Sequence, residues 1–251
     1  MNFERNAFAR IAAACSLLVL LAFTGCDHDM EDCATAPTAA VNFGPAGAPP
    51  QLLACDTYAV LAGSGVNCTG ANVVVYGDVG CSPTGNISGM PNGQPTHGNK
   101  HVNDAHASSA QSGCKGAYDD AVARPSNGTL TGIDLGGRRF TAGVYLFSTN
   151  CTVTGVLTLD GNGNKDAVFI FQVGSSLACA NNASIVCVNG AQPRNVYWQV
   201  GNSATLGTDC AFSGSLIALT NIHCNRGSRI HGRALARNGT VTLDDCSVTL
   251  P

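Results

Sequence analysis

The sequence predicts an all-β domain with one long helix, its strands coiled as a parallel β-solenoid with three short strands per turn. Three observations predict it. The first is a repeat of roughly twenty residues in the last third, where 196–215, 216–233 and 234–251 overlay one another. The second is the texture inside each repeat. A short apolar run comes first (Val196-Tyr197-Trp198-Gln199-Val200; Leu216-Ile217-Ala218-Leu219; Ala234-Leu235-Ala236). A second strand follows (Ala204-Thr205-Leu206; Ile222-His223-Cys224; Val241-Thr242-Leu243), then a third (Ala211-Phe212-Ser213; Arg229-Ile230-His231; Ser247-Val248-Thr249). The third observation is composition. Glycine supplies 30 of 251 residues while charged residues reach only 12%, a balance of short strands and tight corners, not of solvated helices. Stacked turns about 4.8 Å apart would give stiff, regularly spaced faces.

The N-terminus reads as an export signal over residues 1–25. Arg5 and Arg10 precede the apolar run 11–23, which is too short to cross a bilayer as an ordinary helix. Phe23-Thr24-Gly25-Cys26 resembles a bacterial lipobox, with Phe23 where Leu is usual, which makes Cys26 the lipidation candidate. Residues 26–51, with Pro37, Pro45, Pro49 and Pro50 among Ala, Gly and Thr, read as a tether. The expected location is outside the cytoplasm: anchored through lipid to face the periplasm or cell surface, or secreted.

The domain proper is expected over residues 52–251. Strand texture surrounds Val66, Val73-Val74-Val75-Tyr76 and Ile87, with Gly65, Gly70, Gly77, Gly80 and Gly89 at corners. Between 103 and 123, Ala105, Ala107, Ala110, Ala117 and Ala121 predict a helix that Pro125 stops, weakened in its middle by Gly113 and Gly116. Strand texture resumes at Phe140. Gly143-Val144-Tyr145-Leu146-Phe147 and Val168-Phe169-Ile170-Phe171-Gln172-Val173 are buried strands of successive coils. About five rung-like units follow Gly143, and Trp198 belongs to the core.

Other signals bound the function. A net charge of −3 supplies no basic field for nucleic acid. Of 13 cysteines, Cys15 leaves with the signal and Cys26 takes the lipid; the remaining eleven match no zinc spacing. They read as disulfides between neighbouring rungs or across corners, Cys179 and Cys187 being a plausible local pair. His97, His101 and His106 have spacings that could gather a metal only on a helix, and Pro95 and Gly98 put the first in a loop. No metal or cofactor is expected. Arg226, Arg229, Arg233, His223 and His231 suggest a small basic patch on a solvated face. No Gly-x-Ser-x-Gly or His-Glu-x-x-His occurs, and the adjacent pairs Asp119-Asp120 and Asp244-Asp245 would not converge on one bond if they lie on strands. The chain is therefore read as a non-enzyme.

The residues become specific in six segments. Asp56-Thr57-Tyr58-Ala59-Val60-Leu61-Ala62-Gly63, Gly77-Asp78-Val79-Gly80, Gly143-Val144-Tyr145, 167–174, 195–201 and 232–239 together resemble the microbial ice-binding-protein family over roughly residues 53–250. The resemblance implies a discontinuous right-handed solenoid of triangular cross-section. A long helix would lie alongside, and N-terminal rungs would stack out of order against C-terminal ones. It also implies adsorption to ice through a flat face of Thr, Ser, Ala and Asn, with ice as the partner and the protein a monomer.

Family members often carry Thr-Ala/Gly-x-Thr/Asn at the start of a rung's third strand. Thr69-Gly70-Ala71-Asn72 matches, Thr154-Gly155 matches in its first half, and Thr208-Asp209-Cys210-Ala211 keeps only the Thr. The next rungs read Arg226-Gly227-Ser228-Arg229 and Asp244-Asp245-Cys246-Ser247. The implied ice-contacting residues are thus Thr69, Asn72, Thr154, Thr208, Ala211, Ser228 and Ser247. Arginine is bulky and prefers liquid water, so Arg226 and Arg229 on that face imply modest activity. The alternative reading is a structural or adhesive surface module that binds a polymer or another protein.

Overall fold

Each turn of the chain is a coil of three strands, and every strand sits in parallel register above its counterpart one coil away. The computed structural model describes residues 40–41 and 44–251. The expected export signal, Cys26 and most of the expected tether lie outside the described residues.

The first face runs in the order Lys100–Val102, Asp78–Cys81, Tyr58–Ala62, Arg229–Ala236, Ala211–Ala218, Val196–Val200, Phe169–Val173, Gly143–Phe147, Gly128–Thr129. The second runs Cys151–Val153, Leu177–Cys179, Ala204–Leu206, Ile222–Cys224, Thr240–Asp244, Gly65–Thr69, Ile87–Ser88. The third joins Arg139–Phe140, Val156–Asp160 and Ser184–Val188 to the leading halves of Ala211–Ala218 and Arg229–Ala236, then Ser247–Thr249 and Val74–Tyr76. Those two long strands turn from the third face to the first at Gly214 and Gly232, which pair with each other. A Cβ on Gly232, whose φ is +151°, would lie 1.9 Å from the Gly214 carbonyl oxygen, so no other residue fits that bend.

The coils do not stack in sequence order. Val60 pairs with Ala234, Gly65 with Thr240, and Val74 with Ser247, so the N-terminal coil closes on the C-terminal one. This is the arrangement that the family resemblance implies. Alternation fills the interior: Leu, Val, Ile and Cys point in, and an aromatic stack runs through several coils. Trp198, fully buried, lies parallel to Phe171 at 4.0 Å between ring centres, with Tyr145 and Phe212 on either side. Its indole N–H donates to the Ser213 carbonyl at 3.2 Å, which satisfies the ring's one polar atom.

The helix Ala105–Ala123 lies where the alanine spacing predicts. Asp104 caps its start by accepting from the Ala107 amide at 2.8 Å. Its buried side is small (Ala107, Ala110, Gly113, Cys114, Ala117, Ala121) apart from Tyr118, and packs on Leu61, Val144, Ile170, Tyr197, Ile217 and Leu235 of the first face. Gly113 is a contact position and not merely a weak point, because a Cβ there would meet the Leu52 carbonyl oxygen at 2.6 Å. The buried Gln172 amide closes the other end, donating to the carbonyls of Ala121 at 2.8 Å and Arg124 at 2.7 Å.

Two expectations need correction here. The described part of the 26–51 tether is docked: Val41 bridges to Phe140, and Ala46 and Pro50 are buried. Gly80 sits inside a strand, not at a corner, with the Tyr58 ring in the space a side chain would need.

Candidate functional site

On the second face every three-residue strand exposes its middle side chain between two buried ones: Thr152, Ala178, Thr205 and His223. In-register pairing carries this file onward through Thr242, Asn67 and Ser88, across the junction between C-terminal and N-terminal coils. The residues two places earlier (Asn150, Ser176, Ser203, Asn221, Thr240 and Asn86, interrupted by the buried Gly65) form a second outward file by the same alternation. Thr154, Ala180, Gly207, Asn225, Asp244 and Thr69 form a third along the edge. Side chains thus repeat at about 7 Å along a strand and about 4.8 Å between coils. No lysine or arginine belongs to any of the three files.

Hydrogen bonds between coils hold these side chains in place. Asn202 Oδ1 accepts from Thr220 Oγ1 at 2.8 Å, and Asn221 Oδ1 accepts from the Thr240 amide at 2.9 Å and its hydroxyl at 3.2 Å. Ser88 Oγ donates to Asn67 Oδ1 at 3.0 Å. At the far end Asp134 gathers both threonines of the outermost coil, accepting from Thr152 Oγ1 at 2.6 Å and Thr154 Oγ1 at 2.8 Å. Partial burial pushes the Asp134 carboxyl up. The hydrogen bonds from Thr152, Thr154 and the Gly136 amide outweigh this and hold it below the usual carboxylate range.

The other two faces differ. The helix covers the first. The third exposes Val186, Tyr76, Arg229, His231 and Thr249, with the His97 ring stacked on Tyr76 at 4.6 Å. It is bare, but chemically mixed.

The residues expected from the third-strand pattern mostly trace the ridge between the second and third faces. Thr69 and Thr154 are exposed on the edge file of the second face. Asn72 is exposed at the corner, its amide donating to Asp245, and Thr208 is half-buried at the equivalent turn. Ala211 and Ser247 open strands of the third face. Ser228 is 1% exposed and points inward, its hydroxyl without a hydrogen-bond partner, so it offers nothing to a surface. The central file Thr152, Ala178, Thr205, Thr242, Asn67 and Ser88 was not among the expected residues. Its signal was available: a small residue flanked by two apolar ones in each short strand.

The remaining constellations resolve into structural roles. The basic patch is divided: His223 faces out of the second face and His231 out of the third. Arg226 pairs with Asp245 at 2.7 Å, and Arg233 is buried against Asp56 at 2.6 Å. Asp119 and Asp120 belong to the helix, not to a strand, and pair with Lys115 and Arg237 and with Arg124 respectively. His101 hydrogen-bonds Asp104 at 2.8 Å, and His97 lies apart on Tyr76. Among the described residues no group of three or more His, Cys, Asp or Glu is placed to hold a metal. A hollow of about 260 Å³ lies beside Tyr58, Asp78, His101 and His106. Cys179 does not meet Cys187; its thiol hydrogen-bonds Cys210.

A solenoid with one face sheathed by a helix and another laid out as a lattice of small hydroxyl and amide side chains is a protein that meets its partner through a plane. The family model described as Ice-binding-like matches residues 60–249, and the chain belongs to that family. A protein from Nostoc sp. named "Ice-binding protein" is 42% identical over 200 residues, covering 79% of this chain and 73% of its own. The crystal structure of an ice-binding protein from an Antarctic biological consortium superposes with a TM-score of 0.79 at 38% identity, covering 83% of this chain and 94% of that one. That of an ice-binding protein from the Antarctic ascomycete Antarctomyces psychrotrophicus gives 0.77 at 37% identity, covering 81% and 98%.

Proposed function

We propose that this chain binds ice by adsorbing its second face to the crystal, and so slows ice growth and recrystallisation. The observation that carries the reading is the in-register outward file Thr152–Ala178–Thr205–His223–Thr242–Asn67–Ser88 on a flat parallel sheet. Methyl and hydroxyl groups on a rigid grid order water in a partly ice-like layer that merges with the crystal; no bond is made or broken. Thr69 and Thr154 extend the surface at its edge, while Asn72, Thr208, Ala211 and Ser247 form its rim.

The purified domain should inhibit ice recrystallisation at micromolar concentration, and Thr205→Tyr should raise the concentration needed at least about tenfold while leaving the melting temperature unchanged. Undiminished inhibition by Thr205→Tyr would mean that another face acts. A single chain presents the whole grid, so the acting unit is a monomer, which light scattering will test.

The N-terminal segment supports an exported lipoprotein, with residues 1–25 removed and Cys26 acylated. Labelling with a radioactive fatty acid should mark the wild-type protein and not Cys26→Ala.

A further inference from the structure

Four of the ten described cysteines, all free thiols in this structure, sit at facing positions inside the solenoid. Two inward positions face each other wherever coils stack: the last inward residue of a second-face strand, and the corner residue just before the third-face strand of the next coil. Strand register assigns five such positions in succession. They hold Val153 with Ala183, Cys179 with Cys210, Leu206 with Ser228, Cys224 with Cys246, and Leu243 with Val73. At these five levels cysteine occupies both members or neither; one level on, Cys68, in register with Leu243, meets Met90 instead. All four cysteines are buried, at 4%, 1%, 0% and 3% exposure, and each pair is joined by a thiol–thiol hydrogen bond.

We propose that these are two disulfide sites, Cys179–Cys210 and Cys224–Cys246, each stapling one coil to the next beneath the second face. Cys179 stands in register with Leu206 and Cys224 with Leu243, so each partner lies one corner further along the next coil, where the two side chains meet.

The chemistry is exchange with a disulfide oxidant of the compartment that receives the exported chain. One thiolate of the pair attacks one oxidant sulfur and expels the other as a thiolate. The partner thiolate then attacks the mixed disulfide and expels the second. Two electrons and two protons leave the pair, and the oxidant departs as a dithiol. Cys224 and Cys246 follow the same balance. Because the four sulfurs are buried in the finished fold, exchange takes place while the coils are docking.

The test is independent of ice activity. The full chain is exported into an oxidising compartment, alkylated without reduction, and digested at basic and aromatic residues. Tandem fragmentation separates Cys179 from Cys187 and Cys210 from Cys224. The expected result is two linkages, Cys179–Cys210 and Cys224–Cys246, each lacking two hydrogens, with a fall of several degrees in melting temperature on reduction. Cys179→Ser should expose Cys210 to alkylation and leave Cys224–Cys246 intact. Alkylation of all four thiols in the wild-type protein, or a Cys179–Cys187 linkage, would overturn the proposal.

Discussion

The second and third faces come from the same coils, wound by the same backbone and lined inside by similar apolar residues. Leu206 and Leu243 point inward from one, Ile230 and Val248 from the other. Outside they diverge: Thr205, Thr242, Asn67 and Ser88 against Val186, Arg229, His231 and Tyr76. Folding requires little of an outward position on a solenoid except solubility. The third face shows what that freedom produces, and order on the second is therefore not a by-product of the fold.

The sharpest way to break this comparison is to place the same bulky ring on each face. Thr205→Tyr should raise the concentration needed for recrystallisation inhibition at least about tenfold, while Thr249→Tyr should leave it unchanged. Equal losses would dissolve the distinction. A second experiment strikes the scaffold that both faces share. Trp198→Ala removes the middle of the aromatic stack and should cost about 3–5 kcal/mol of stability in denaturant titration, blurring both faces together.

Asp134 tests the end of the ordered face. Its carboxyl titrates below the ordinary range when folded, so its contribution is complete above the unfolded value and is lost as pH falls through the folded one. Wild type should lose more stability than Asp134→Asn between pH 7 and pH 3, and the variant should be weaker at pH 7 by about 1–2 kcal/mol. The smallest effect concerns His223, the one ring in the central file. His223→Thr should strengthen inhibition by a factor of about two to three, whereas His231→Thr on the third face should do nothing measurable.

The sequence carried the scaffold well because solenoid strands repeat the same local demand. Val196–Val200, the buried Val168–Val173 run and the alanine-spaced helix were each legible from spacing alone, since burial against a neighbouring coil tolerates only apolar or small residues. The candidate face was only half legible. Thr69 and Thr154 lie on its edge, but Ser228 shows why a motif at a corner misleads: one residue's difference in phase turns a side chain from solvent into the core. Cysteine connectivity was illegible for a related reason. Cys179 and Cys187 are close along the chain, yet Cys210 is reached only by stepping to the next coil, a neighbour that local spacing does not reveal.

Pairing of Val60 with Ala234 has a consequence for how the molecule is made. Tyr58–Ala62 can pair with Asp78–Cys81 as soon as both are made, but its other edge waits for residues 229–236, so the sheet stays open until that stretch has emerged. That leaves one sheet edge open for most of synthesis. It also makes the final twenty or so residues the latch of the whole assembly: remove them, and the opening strands lose the neighbour they were waiting for.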